Sequence, residues 1–455
     1  MALTKIITDG ITDDAVTEDK LANAINTAVA ANTAKDLTAL SASNLTSGTI
    51  PDARFPATLP AASAANLTAV PAANITGTLP AISAANLTNV PAANITGTLP
   101  AISGANLTNL PASGVPRNLI DNGSMEIAQR GTSSTDTSAV KTVDRMIVFH
   151  QGANESPTQS QIDLNSTDTG PYELGLRKAF RITNGNQTNA DAGDYVWIRH
   201  IVESQDLAKS GWNYTSTSSY MTLSFWVRSS VAQNFFAHIR LPDGTSQAYG
   251  FETGSLSANT WTKVTKTIPG NSNLTFVNDA ELGWNLVISM FHGTDYTSSD
   301  YTLNQWAAYS GSARQPDNTS TWYTTNGATW EITGLQLEVG EVATDFEHRS
   351  FGRELELCQR YYYKTFPYGT KPARNLGNTD SVFFAVVSGY NGAYHFKQAM
   401  RSSPTLTFFN PSADNSNQTS LGGGCNNRST DNMISVEIGN VAGNHYTQFV
   451  AECEL

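Results

Sequence analysis

Basic residues are in short supply: 27 Lys and Arg stand against 39 Asp and Glu, for a net charge of −12. Nucleic-acid binding needs a basic face that releases counterions, so nucleic acid is not an expected partner. Long apolar runs are absent too. No stretch approaches the ~20 residues that span a bilayer, which argues against membrane insertion. Cysteine is scarce, with Cys358, Cys425 and Cys453 all near the C-terminal end, too few for a disulfide framework. The opening MALTKIITDG has no apolar h-region, so synthesis in a cytoplasm without a secretory signal is the expectation. Enzyme signatures are missing: there is no G-x-S-x-G, H-E-x-x-H, P-loop or C-x-x-C, and the 7 histidines are scattered without metal-like spacing. Cys358 sits in an apolar helical context and reads as a buried thiol rather than a nucleophile.

Charge disappears altogether between residues 55 and 116, and most of that stretch is a repeat of AANLTNVPAANITGTLPAIS. Proline recurs at Pro51, Pro71, Pro91 and Pro111, and asparagine at Asn66, Asn86 and Asn106. A fixed period means one structural unit stacked on its copies. Two prolines per unit exclude a continuous helix. The large apolar residues of one unit are Leu87, Val90, Ile95, Leu99 and Ile102, too few for a single-chain core. Several chains pooling them along a common axis would solve this, which describes a fibre shaft. A disordered linker of similar composition is the alternative, against which stand the strict register and the lack of charge. The Asn-Leu-Thr and Asn-Ile-Thr triplets match a glycosylation pattern but read more simply as turn-closing repeat residues.

Before the shaft, residues 1–40 form a head in which Leu21, Ile25, Val29, Leu37 and Leu40 recur mostly at helical spacing, predicting a short N-terminal helix. After it, from Arg117, the pattern turns to period two. In YMTLSFWVRS (220–229), Met221, Leu223, Phe225 and Val227 share one face, while Trp226 and Arg228 fall on the other. FFAHIRL, TWTKVTKTI and TWEITGLQLEV read as further strands, separated by loops rich in Gly, Asn, Asp and Ser. FGRELELCQRYYYK (351–364) predicts a helix with Leu355, Leu357 and Cys358 inward, followed by VFFAVVSGY, AYHFKQAM and PTLTFF as strands. The fold class expected is mostly β, with a head at 1–40, a repetitive shaft at 41–116, a β-sandwich at 117–350 and a second β-rich domain at 351–455.

NLIDNGSMEIAQRG, SFWVRSS, TWTKVTKTIP and ITGLQLEVGEVATDFEHRS together resemble bacteriophage tail-fibre proteins with a jelly-roll module akin to carbohydrate-binding modules of the 4/9 group. ELELCQRYYYK and MRSSPTLTFF look like the C-terminal domain that follows this module, and ITDGITDDAVTEDKLANAI with SGTIPDARFP is similar to the leading text of such fibres. The resemblance implies an elongated homotrimer in the virion tail, joined to other tail proteins through its N-terminus and binding a host surface polysaccharide. It also suggests a structural calcium near Glu126, where a plain surface carboxylate is the simpler reading; no other cofactor is expected.

Sugar recognition lays a flat ring under the apolar face of a pyranose while amides and charged groups bond its hydroxyls. Loop aromatics next to such groups nominate Trp212 and Tyr214, Trp306 and Tyr309, and Trp322 and Tyr323, with Trp226 on the sheet. Core packing is the competing reading for each ring. Three functions follow: a glycan-binding adhesion fibre without enzyme activity, a polysaccharide-cleaving spike using a carboxylate pair, or a structural neck or whisker fibre.

Overall fold

In a computed structural model the described residues are Ile25, Thr27, Ala28, Ala30 and Ala31, then 117–135, 140–373, 382–384, 391–409, 425–438 and 445–455. The first five are helical and exposed; the rest of the expected head and the whole shaft lie outside the described residues. Packing divides the chain into two units, Met1–Ala101 and Ile102–Leu455, and the second is the one described below.

The unit is mostly β, with antiparallel ladders. Twelve strands come first: β1 (Ser133–Ser134), β2 (Ile147–Gln151), β3 (Thr158–Asp163), β4 (Lys178–Thr183), β5 (Tyr195–Glu203), β6 (Tyr220–Ser229), β7 (Asn234–Leu241), β8 (Gln247–Ser255), β9 (Thr262–Pro269), β10 (Leu282–His292), β11 (Trp306–Ala308) and β12 (Thr329–Val339). They form two six-stranded sheets. Sheet I runs β1-β3-β4-β12-β6-β9 and sheet II runs β11-β8-β7-β10-β5-β2. Alternate residues of both sheets meet in one core, because period-two strands bury one face each. Phe180, Leu223, Phe225, Trp330 and Leu337 enter from sheet I; Val196, Ile198, Phe235, Ile239, Leu286 and Ile288 enter from sheet II. The ring of Phe235 meets Trp330 edge-on across the gap, with centroids 6.4 Å apart.

The outer face of sheet I is covered as well. Glu331 of β12 bonds Arg181 of β4 and Arg228 of β6, and Arg228 also pairs with Asp168 at 2.6 Å. Above them Leu164, Leu176 and Trp261 form a satellite cluster that takes in Tyr172, Trp226 and Phe346. A bulge between Thr333 and Gln336 makes room, with Gly334 at φ 63°, where a Cβ would meet Leu176 at 2.8 Å.

A one-turn helix, α1 (Ser204–Ala208), follows β5, and α2 (Phe351–Gln359) follows the sandwich. Ser350 caps α2 by accepting from the Arg353 N–H at 3.3 Å. Cys358 is buried as expected, but Leu355 and Leu357 are only half-buried and Glu354 turns inward instead. The helix also stops short of the predicted end. Tyr362–Lys364 is a strand, β13, paired with β19 (His445–Glu452), because consecutive tyrosines suit a pleated, half-buried surface better than a helix. Between them lie β14 (Val382–Phe384), β15 (Asn391–His395), β16 (Thr405–Phe409), β17 (Cys425–Ser429) and β18 (Met433–Ile438). The second apolar cluster gathers Tyr363, Phe396, Met400, Phe408, Ile434 and Phe449. Among the described residues no helix is long and apolar enough to cross a membrane.

Candidate functional site

The outer face of sheet II is built differently from that of sheet I. In β5, Val196 and Ile198 point into the core, so Tyr195, Trp197 and Arg199 point outward. Register across the sheet extends this into rows. Phe149 of β2, Trp197, Ser289 of β10 and Phe236 of β7 lie opposite one another, and in the next row Arg199, Val287 and His238 do. Asn285 and Arg240 share a third row with Ala248 of β8.

Aromatic rings floor this face. Phe149 stacks on Trp197 with centroids 4.3 Å apart, Tyr195 lies 5.9 Å from Trp197, and Tyr296 meets Tyr195 edge-on at 5.4 Å. The segment after β10 folds back over the sheet and sets one wall. Gly250 permits this: a Cβ there would lie 2.3 Å from the Tyr301 hydroxyl oxygen. Behind Tyr301 is a pocket of about 320 Å³ lined by Ala248, Asp300, Gln305, Ala308 and Ser310 among others. Arg240 lies over Tyr309 at 4.2 Å and Arg314 over Tyr296 at 4.6 Å.

Polar groups on this face are left without partners. Among the described residues, Trp197 Nε1, Asn285 Oδ1 and Ser289 Oγ are buried atoms with no hydrogen-bond partner. Asn285 is 6% exposed and Ser289 4%. Buried polar atoms are nearly always satisfied, and each orphan costs about 1–3 kcal/mol. Arg199 Nε and His292 Nε2 of this face are in the same condition, as are Trp284 Nε1 and Trp330 Nε1 in the core. Two imidazoles close by stay neutral. Burial, then His292, Arg314 and Arg240, hold His238 down to about 3, while burial, outweighing a bond from Gln315, and then Arg314 hold His292 down to about 4. Burial first, then Arg145 and Arg240, lower Arg199 to about 10.

Of the rings nominated from sequence, Tyr309 is the one on this face. Trp212 is 4% exposed, with its Nε1 donating to Ser219 O at 3.2 Å. Trp322 and Tyr323 are fully buried; Trp322 Nε1 donates to Thr329 O at 3.1 Å, and the Tyr323 ring stacks on Phe291 at 4.2 Å. These three are core residues and offer no open ring to a sugar. Tyr214 packs on the core and against Phe276 at 4.8 Å. Trp306 donates to Pro269 O at 2.7 Å and lies 5.3 Å from Tyr249. Trp226 is not on an open concave surface: it lies under Gly170 and Gly334 in the cover of sheet I. Phe149, Tyr195, Trp197 and Tyr296 do not stand out as loop aromatics in the sequence, although YVWIRHIVE carries the alternation that places two of them outward. Glu126 is half-buried, and its main-chain oxygen accepts from Gln161 and Tyr368. Among the described residues no group of three or more His, Cys, Asp or Glu is arranged to hold a metal ion.

No protein-family model matches the chain, and no curated protein matches it. Solved structures that resemble it include the enzymatically active domain of tailspike protein 4 from bacteriophage CBA120, at 10% identity and a TM-score of 0.27, covering 49% of this chain and 22% of that one. Another is the N-terminal cellulose-binding domain of Cellulomonas fimi β-1,4-glucanase C, at 9% identity and a TM-score of 0.22, covering 48% of this chain and 99% of that domain. The tripod from the baseplate of bacteriophage Tuc2009 is similar at 11% identity and a TM-score of 0.22, covering 74% and 90%. This chain thus spans 22% of the tailspike domain's length. At such scores and identities the likenesses assign neither ligand nor activity.

Proposed function

We propose that the chain is a bacteriophage tail fibre, trimeric through its shaft, whose sandwich adheres to a host surface glycan through the outer face of sheet II. The observation that carries this reading is the floor of Phe149, Trp197 and Tyr195 beside the unpartnered polar atoms of Asn285, Ser289 and Trp197. Rings supply stacking area, and amide, hydroxyl and imidazole groups supply orientation, which is the division of labour a sugar site needs. The fibre assignment rests on the charge-free repeat and the quoted sequence resemblance. Three weak sites on one shaft would gain affinity by multivalency. We propose binding without cleavage, since the face is furnished mainly with rings, amides and guanidiniums.

The test is binding of the full chain to immobilised bacterial surface polysaccharides, with release of reducing ends followed in parallel. Saturable binding should weaken about tenfold or more in Trp197→Ala, the scale of an interface anchor, with the thermal midpoint little changed. Binding that survives both Trp197→Ala and Asn285→Ala would remove this face from consideration. Reducing ends released in proportion to protein would replace the adhesin by a depolymerase.

A further inference from the structure

Resting on that reading of the sheet II face, we infer that the glycan it takes is acidic, with a carboxylate or a sulfate or phosphate ester held by Arg240 and Arg314. The chain as a whole carries an excess of acid, 39 Asp and Glu against 27 Lys and Arg, and most of the described arginines elsewhere are matched to carboxylates, Arg177 excepted, which bonds the main-chain oxygens of Tyr172 and Leu176 and stacks on Tyr172. Arg130 and Arg145 sit against Glu454, Arg181 and Arg228 against Glu331, Arg349 against Glu347, and Arg360 against Glu203. The arginines of the sheet II face depart from that pattern. Arg240 donates to Ser246 Oγ at 3.1 Å and Arg314 to Gly311 O at 2.9 Å, and among the described residues neither has an Asp or Glu partner. Arg199 donates to the main-chain oxygen of Leu455 at 3.1 Å and lies over Phe149 at 5.1 Å.

Each of these guanidiniums rests on a ring, Arg240 on Tyr309 and Arg314 on Tyr296. Stacking fixes the plane of the fork while leaving its edge free to bond an anion in bidentate fashion. Their fields converge. Arg314 and Arg240 both push the His238 imidazole toward its neutral form, and Arg145 and Arg240 act in the same sense on Arg199, with Glu454 opposing them there. Arg240 and Arg314, half-buried and with no acid partner among the described residues, are costly in isolation, and an anionic ligand would relieve them. A neutral glycan would leave that repulsion in place. The net charge of −12 also works against non-specific polyanion binding, so any affinity for an acidic polymer must come from a local cluster such as this.

The experiment compares full-chain binding to polygalacturonate, its carboxyl-reduced counterpart, dextran sulfate and unmodified dextran. The expected result is binding to polygalacturonate that falls about tenfold or more on carboxyl reduction and weakens with added salt. Arg240→Gln and Arg314→Gln should each lose most of that preference, while Arg240→Lys should keep part of it. Dextran sulfate bound as well as polygalacturonate would assign the site to anionic charge generally; polygalacturonate alone would assign it to a carboxylate. Equal binding of charged and reduced polymers, abolished in Trp197→Ala, would leave the glycan face standing and overturn its acidity. Polyanion binding indifferent to the arginine variants, or no binding of either polyanion, overturns the inference too. Binding indifferent to Trp197→Ala as well would sink the face itself.

Discussion

His200 points into the sandwich, with Nε2 3.0 Å from the main-chain oxygen of Asp121. Burial, then the charge of Arg145, lowers its pKa from 6.5 to about 3. His238 and His292 lie in the same condition, at about 3 and about 4. In the unfolded chain all three take protons near 6.5, so between that value and their folded values the unfolded state binds more protons. Stability therefore rises with pH through this window and is lost on acidification. Asp144 and Asp206 oppose the trend: burial raises each from 3.8 to about 6, so protonating them favours the fold. Asp121 and Glu354, also raised by burial, act with those two carboxyls, while Asp168 and Glu203, held down against burial by their hydrogen bonds and by Arg228 and Arg360, act with the three imidazoles, whose effect extends down to pH 3–4. The urea midpoint should fall steadily from pH 6.5 to 4, and His200→Gln should flatten that slope whatever it does to the midpoint at pH 7. A variant with the wild-type slope would show that His200 is not a source of it.

At the scale of elements, strands were legible wherever one face is apolar and the other is not. β6, β9 and β12 follow from their alternation. β5 is hidden in the sequence because Tyr195, Trp197 and Ile201 on its outer side are as large and apolar as the inner residues, so the period does not stand out. The site was mostly illegible for a related reason. A tryptophan in a polar loop reads the same whether it turns out to a sugar or in to the core, and Trp212 and Trp322 turn in because a carbonyl waits there for each Nε1–H. The cover of sheet I is another feature that alternation hides, since Glu331 occupies an outward position of β12 yet is 1% exposed. Removing it leaves Arg181 and Arg228 with Asp168 as the remaining acid of the group. Breaking a buried ion pair from one side costs about 3–5 kcal/mol, and partial exposure of both arginines puts this case near the low end. Glu331→Ala should therefore lose about 3 kcal/mol in chemical denaturation. A loss below about 1 kcal/mol, the range of exposed pairs, would mean that water already screens the network.

In the molecule beyond residue 117, the C-terminal segment is fastened to the sandwich by charges that neither part could bury alone. Glu454 reaches Arg145 at 2.5 Å and Arg130 at 3.1 Å, and the Tyr361 ring lies 3.3 Å beneath the Arg145 guanidinium. In the other direction Glu203 of β5, fully buried, takes both Arg360 Nε and Nη2 at 2.7 Å and the Tyr361 hydroxyl at 2.5 Å. Lys364 caps the Gln129 carbonyl at 2.7 Å, and Arg401 reaches Ala280 O at 3.2 Å. Arg145 is 1% exposed, so a sandwich deprived of residues 351–455 would carry an unpaired guanidinium and an unpaired carboxylate in places built to be dry. The two parts should therefore melt together. Calorimetry of the full chain is expected to give one transition for 117–455, and Glu454→Ala should lower it as a whole by about 3 kcal/mol of stability rather than split it. A chain ended at residue 350 should melt well below that transition or aggregate. Two resolved transitions, with the upper one unmoved by that truncation, would mean that the sandwich is self-sufficient and the clasp incidental. Arg199 ties the residues after the C-terminal strand to the face proposed to hold the glycan, donating to the Leu455 main-chain oxygen at 3.1 Å.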